Sequence, residues 1–62
     1  AAVSSWYNLA CIYSLQNNIS ESALAFKHAL AIDPEYEESF FEDEELENLR
    51  KQVSIEELLK KD

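Results

Sequence analysis

The chain has 62 residues, too few for more than one domain, and a domain of that size is marginal without help from a disulfide, a metal or a partner. Its one cysteine, Cys11, excludes an internal disulfide, and its net charge of −8 argues against binding a phosphate backbone, which needs a basic footprint. Glycine is absent, proline occurs once, and 47% of the residues are hydrophobic, so an all-α fold with a real core is expected rather than disorder.

A first helix is expected over residues 3–15, with Ser4 or Ser5 available as a cap. Trp6, Leu9, Ala10 and Tyr13 stand at i, i+3, i+4 and i+7, one stripe of a 3.6-residue helix, and are expected to be its buried face. Gln16, Asn17 and Asn18 form the turn, because asparagine tolerates the left-handed conformation nearly as glycine does. A second helix is expected after Ser20 as N-cap, with Glu21 at the positive end of the helix dipole. Ile19 with Ala23 or Leu24 would form a hydrophobic staple across that start. Ser22, Phe26 and Ala29, with Leu30 beside them, should face the first helix. Ala10 and Ser22 are small enough to let the two backbones approach closely where they cross. Ile32 would close the hairpin, and Asp33-Pro34 ends it because the residue before proline is biased away from α geometry.

The residues of these two helices resemble the tetratricopeptide repeat, W-x2-L-G-x2-Y … A-x3-F … P over 34 residues. The run from Trp6 through Tyr13, then Phe26, Ala29 and Pro34, carries the likeness over residues 3–36. Ala10 stands where the family has glycine and Ser22 where it usually has alanine; both are small. The resemblance implies an antiparallel helical hairpin whose first helix lines the concave groove of an array. Carried onto this chain, the partner-binding side would be Ser4, Tyr7, Asn8, Cys11, Ser14 and Leu15. Asn8 matches a family position whose amide often holds a peptide's backbone, with a hydrogen bond inside the hairpin as the competing role. The carboxylate-clamp mode of the family is disfavoured, since Lys27 is the repeat's only basic residue apart from His28.

After Pro34 the repeat pattern fades into an acidic tail over residues 37–62. Residues 35–41 are expected to make one or two helical turns, with one of Phe40 and Phe41 in the core. Asp43 is a natural N-cap, and Leu46, Leu49 and Val53 follow at i, i+3 and i+7. Residues 43–50 also resemble a D-x-x-L-x-x-L-R tail that follows the final repeat in some tetratricopeptide proteins. Ser54 and Glu57 make a capping box opening a last short helix with Ile55, Leu58 and Leu59. Glu56 with Lys60, and Glu57 with Lys61, are i, i+4 pairs of the favourable order. One or two short helices capping a hairpin, with residues 43–51 folded back on the second helix, is the expected architecture. The chain begins at Ala1 without Met, which fits a fragment of a longer array.

No chemistry of catalysis stands out. Cys11, His28 and Asp33 lack an orienting motif and a glycine-rich oxyanion loop, so no catalytic residue, cofactor or enzymatic activity is expected. A calcium loop needs a central glycine, and none exists, so no metal site is expected. No apolar run is long enough for a membrane span, and no signal peptide is visible. From 29 to 48 there is neither Lys nor Arg, while nine acidic residues fall there. That run reads first as a solvated face and second as a surface for a basic partner. The function expected is therefore a scaffold or adaptor that binds a protein or peptide, in an intracellular setting that is cytoplasmic first, with an organelle as the alternative. Two rivals are an end cap or oligomerisation element, self-associating through the open repeat face, and a regulatory tail of a larger enzyme.

Overall fold

Asn17 adopts φ 61°, the left-handed turn for which asparagine is suited, and on either side of it the chain is helical. The computed structural model describes residues 2–60, with side chains described from residue 5 onward. Helix α1 is Ala2–Leu15 and helix α2 is Ile19–Ile32. Trp6 meets His28, Tyr7 meets Phe26 and Ala10 meets Ser22, an order that makes the pair antiparallel. At the crossing, Ala10 and Ser22 are fully buried, and the Ser22 hydroxyl donates to the Ala10 carbonyl at 2.7 Å. The serine thus fills the small-residue position and satisfies its own buried hydroxyl. Asp33 leaves helical geometry at φ −141°, ψ 101°, directly before Pro34, as the proline requires.

Past the proline come α3 (Tyr36–Glu42), a 3-10 turn (Glu44–Leu46), α4 (Glu47–Gln52) and α5 (Ile55–Leu59). All the described structure is helical or connecting, so the fold is all-α. Asp43 caps the 3-10 turn by accepting from the Glu45 amide at 2.9 Å, and Ser54 caps α5 by accepting from the Glu57 amide at 3.3 Å. None of the three tail helices exceeds seven residues, too short to hold themselves in water. Packing holds them. Phe40, Leu46 and Leu49 are fully buried and join Phe26, Leu30 and Leu58 in one core. Burying each such side chain is worth about 1.5–3 kcal/mol.

Several local expectations are corrected. Helix α2 begins before Ser20: Asn18 is its N-cap, and the Ser22 amide donates to the Asn18 carbonyl at 3.0 Å. The left-handed Asn17 turns the chain early enough for Ile19 to be helical already, so Ser20 is not the cap, and Ile19 and Ala23 pack against the core from within the helix. Of the stripe Trp6, Leu9, Ala10 and Tyr13, only Ala10 is buried; Trp6 and Tyr13 are half-buried and Leu9 is exposed. The buried side of α1 is rotated toward Cys11 and Ser14, because that is the side the tail covers. Ile32 and Leu59 are also exposed, at 49% and 47%. Residues 43–51 fold back on both helices, and the hydrogen bonds from Tyr7, Asn48 and Leu49 tie them to α1 rather than α2. Phe40 is buried and Phe41 exposed, as the adjacent pair required. The proposed Glu57–Lys61 pair lies partly outside the described residues.

Candidate protein interface

Helix α1 presents two neighbouring strips to the tail side. Tyr7, Cys11 and Ser14 follow at i, i+4 and i+7, and Asn8, Ile12 and Leu15 follow with the same spacing one residue on. The first strip is occupied by the chain's own tail. The Tyr7 hydroxyl donates to Asp43 Oδ2 at 2.6 Å, and Cys11 Sγ lies 4.0 Å from the same oxygen. Tyr7 also stacks on Tyr36, with ring centres 4.6 Å apart and planes 15° from parallel. Ser14 takes the Leu49 amide on its hydroxyl oxygen at 3.2 Å and the Asn48 side-chain amide on its carbonyl at 2.9 Å. Leu46 and Leu49 close the core beneath these bonds.

The second strip stays open. Asn8 is exposed, Ile12 is 48% exposed and Leu15 is 59% exposed. Beside Leu15 runs an open groove of about 640 Å³ whose other wall is Glu44, Glu45, Glu47 and Arg50. Arg50 is turned inward: its Nη1 donates to the Phe40 carbonyl at 2.8 Å and the Asp43 carbonyl at 3.0 Å. This guanidinium clamps the end of α3 to the start of the 3-10 turn. Lys51 lies 3.6 Å from Glu47 across one helical turn, an exposed pair.

The buried polar groups are set for hydrogen bonding, not for reaction. Burial, reinforced by the Asp43 and Glu45 carboxylates, pushes the Cys11 thiol up to about 12, so at neutral pH it is a protonated thiol. Burial also raises the Tyr7 phenol, with its bond to Asp43 acting in the same direction. His28 sits on the other side of the pair, stacked on Trp6 at 4.1 Å. It forms no constellation with Cys11. Cys11, Asp43 and Glu45 offer ligand atoms within 4.8 Å of one another, the nearest approach to a metal donor set among the described residues. Both Asp43 oxygens already accept, from Tyr7 and from the Glu45 amide.

The six residues expected to meet a partner therefore divide. Tyr7, Cys11 and Ser14 lie under the tail, Asn8 and Leu15 are open, and the side chain of Ser4 lies outside the described residues. Sequence reading missed Ile12, Tyr36 and Asn48. Ile12 was discoverable as the apolar residue between Asn8 and Leu15. Tyr36 and Asn48 act through pairings about 29 and 34 residues apart, which no local spacing announces.

Two antiparallel helices joined by a three-residue turn, with further helices packed on one side, are a helical-repeat unit, a class that presents helix faces to its neighbours. The tetratricopeptide repeat family model matches residues 3–36, more than half of the chain. The chain belongs to the tetratricopeptide repeat family, whose modules generally serve protein–protein interaction. No curated protein and no solved structure matches it.

Proposed function

We propose that this chain is a capped tetratricopeptide unit that binds a protein or peptide partner along the open strip of α1, with no catalysis of its own. The observation that carries the reading is the division of α1's outer side. Tyr7, Cys11 and Ser14 are consumed by the tail, while Asn8, Ile12 and Leu15 stand exposed and Leu15 borders a groove. An apolar strip with one amide suits an extended or helical peptide, whose backbone the Asn8 side chain can engage and whose side chains Ile12 and Leu15 can cover. The raised thiol of Cys11 supports the absence of nucleophilic chemistry. Among the described residues no helix is long and apolar enough to cross a membrane. A cytoplasmic setting agrees with that and with a free cysteine.

The test is a peptide selected from a random library on the intact chain. Asn8→Ala and Leu15→Ala should each weaken its binding several-fold without lowering the melting temperature, while Leu24→Ala on the outer face of α2 should leave it unchanged. Equal loss from Leu24→Ala, or none from the α1 variants, would remove the assignment. The burial of Phe40, Leu46 and Leu49 against the hairpin favours a second reading, in which the chain is a structural end cap. A library that yields no binder to the α1 strip would leave that reading in place.

A further inference from the structure

We infer that the partner carries basic side chains around a bulky apolar anchor, and that Glu44, Glu45 and Leu15 select it. The inference rests on the proposed use of the α1 strip and names the chemistry that strip accepts. Leu15 is the most exposed large hydrophobic residue of the described chain, and it forms one wall of a groove about 640 Å³ in volume. Burying it against a partner's apolar side chain removes surface that water now covers. Facing it are three glutamates, of which Glu44 and Glu45 lie in the 3-10 turn that Asp43 caps, so their backbone is fixed in the free protein.

Lys51 pairs with Glu47 across one exposed turn, and Arg50 keeps its charge at the groove's edge with Nη1 held on two backbone carbonyls, so the wall's excess negative charge rests on Glu44 and Glu45. With a net charge of −8 over the whole chain, approach of an acidic or neutral segment gains nothing from the field, whereas a basic one is drawn to it. The occupant the groove fits is a short peptide segment with Lys or Arg on either side of a Leu, Phe or Trp. The glutamates supply charge, and Leu15 supplies apolar contact area.

Two fluorescently labelled 12-residue peptides of equal length test this on the intact chain: one places a Trp among lysines and arginines, the other places the same Trp among serines. The basic peptide should bind at least tenfold more tightly, and its affinity should fall as salt rises. Glu44→Lys with Glu45→Lys should reduce that affinity by about tenfold or more, and Glu37→Lys with Glu38→Lys on α3, an equal change in net charge, should reduce it far less. Leu15→Ala must weaken it as well. Equal losses from the two charge-reversed pairs would reveal bulk attraction and overturn the inference. If the serine peptide binds as tightly and still depends on Leu15, the basic chemistry is overturned while the α1 strip survives. Binding of either peptide that ignores Leu15 would overturn the strip itself.

Discussion

Leu49 is the residue through which the tail is most firmly joined to the repeat. Its side chain is fully buried, and its amide donates to the buried Ser14 hydroxyl. Leu49→Ala removes three carbons from a fully buried site on α4, which packs against α1 and α2. Such a truncation costs about 2–5 kcal/mol, the transfer term plus the cavity. A chain of 62 residues has roughly 3–9 kcal/mol of stability in all, at the usual 0.05–0.15 kcal/mol per residue. The variant should lose about a fifth of its stability or more. At about 4–8 °C per kcal/mol for a domain this small, its melting temperature should fall by about 10 °C or more. Circular dichroism against temperature and urea gives the value directly. Leu59→Ala, at a site 47% exposed, serves as the control and should cost about 0.5 kcal/mol or less. A fall for Leu49→Ala no larger than the control's would mean that the tail is not part of the cooperative fold, and the packing argument would fail.

Three further outcomes follow from the same contacts. Ala10→Leu should overpack the crossing where Ser22 bonds the Ala10 carbonyl and cost about 1–3 kcal/mol; an unaltered urea midpoint would sink the close-crossing account. Arg50→Met should cost about 1–2 kcal/mol by freeing the Phe40 and Asp43 carbonyls, and a midpoint equal to that of the parent chain would show the clamp to be idle. Stability should also fall in alkali. The Cys11 thiol, raised from its ordinary value near 9 to about 12, contributes stability that is fully present below pH 9 and lost as the pH rises through 12. The raised Tyr7 phenol acts in the same direction, from about pH 10 upward. Melting temperatures that stay flat from pH 8.5 to about 11.5, or a Cys11→Ala variant with an undiminished slope, would contradict this linkage.

The sequence made the hairpin legible because its determinants are local. A left-handed Asn17, the small pair Ala10 and Ser22, and Asp33 before Pro34 each act within a few residues or at one crossing. Asp43 and Ser54 were legible as caps for the same reason. The buried face of α1 was not. Trp6, Leu9 and Tyr13 have the right spacing for a buried stripe, yet burial is decided by what covers the helix, and the tail covers Tyr7, Cys11 and Ser14. Asp43 illustrates the difference: its capping bond to Glu45 spans two residues, whereas its bond to Tyr7 spans 36. The candidate interface was half visible, since the register of α1 places Asn8 and Leu15 on one strip. Which strip remains open depends on the long-range pairing.

The central claim is that a partner docks beside the tail on α1 and does not replace it. Titrating the 15N-labelled chain with its selected peptide tests this most directly. The account predicts shifts at the amides of Asn8, Ile12 and Leu15, with Leu46 and Leu49 keeping their dispersed positions. Collapse of the Leu46 and Leu49 signals to unfolded positions as the peptide binds would show that the partner takes the tail's place, and would contradict the account.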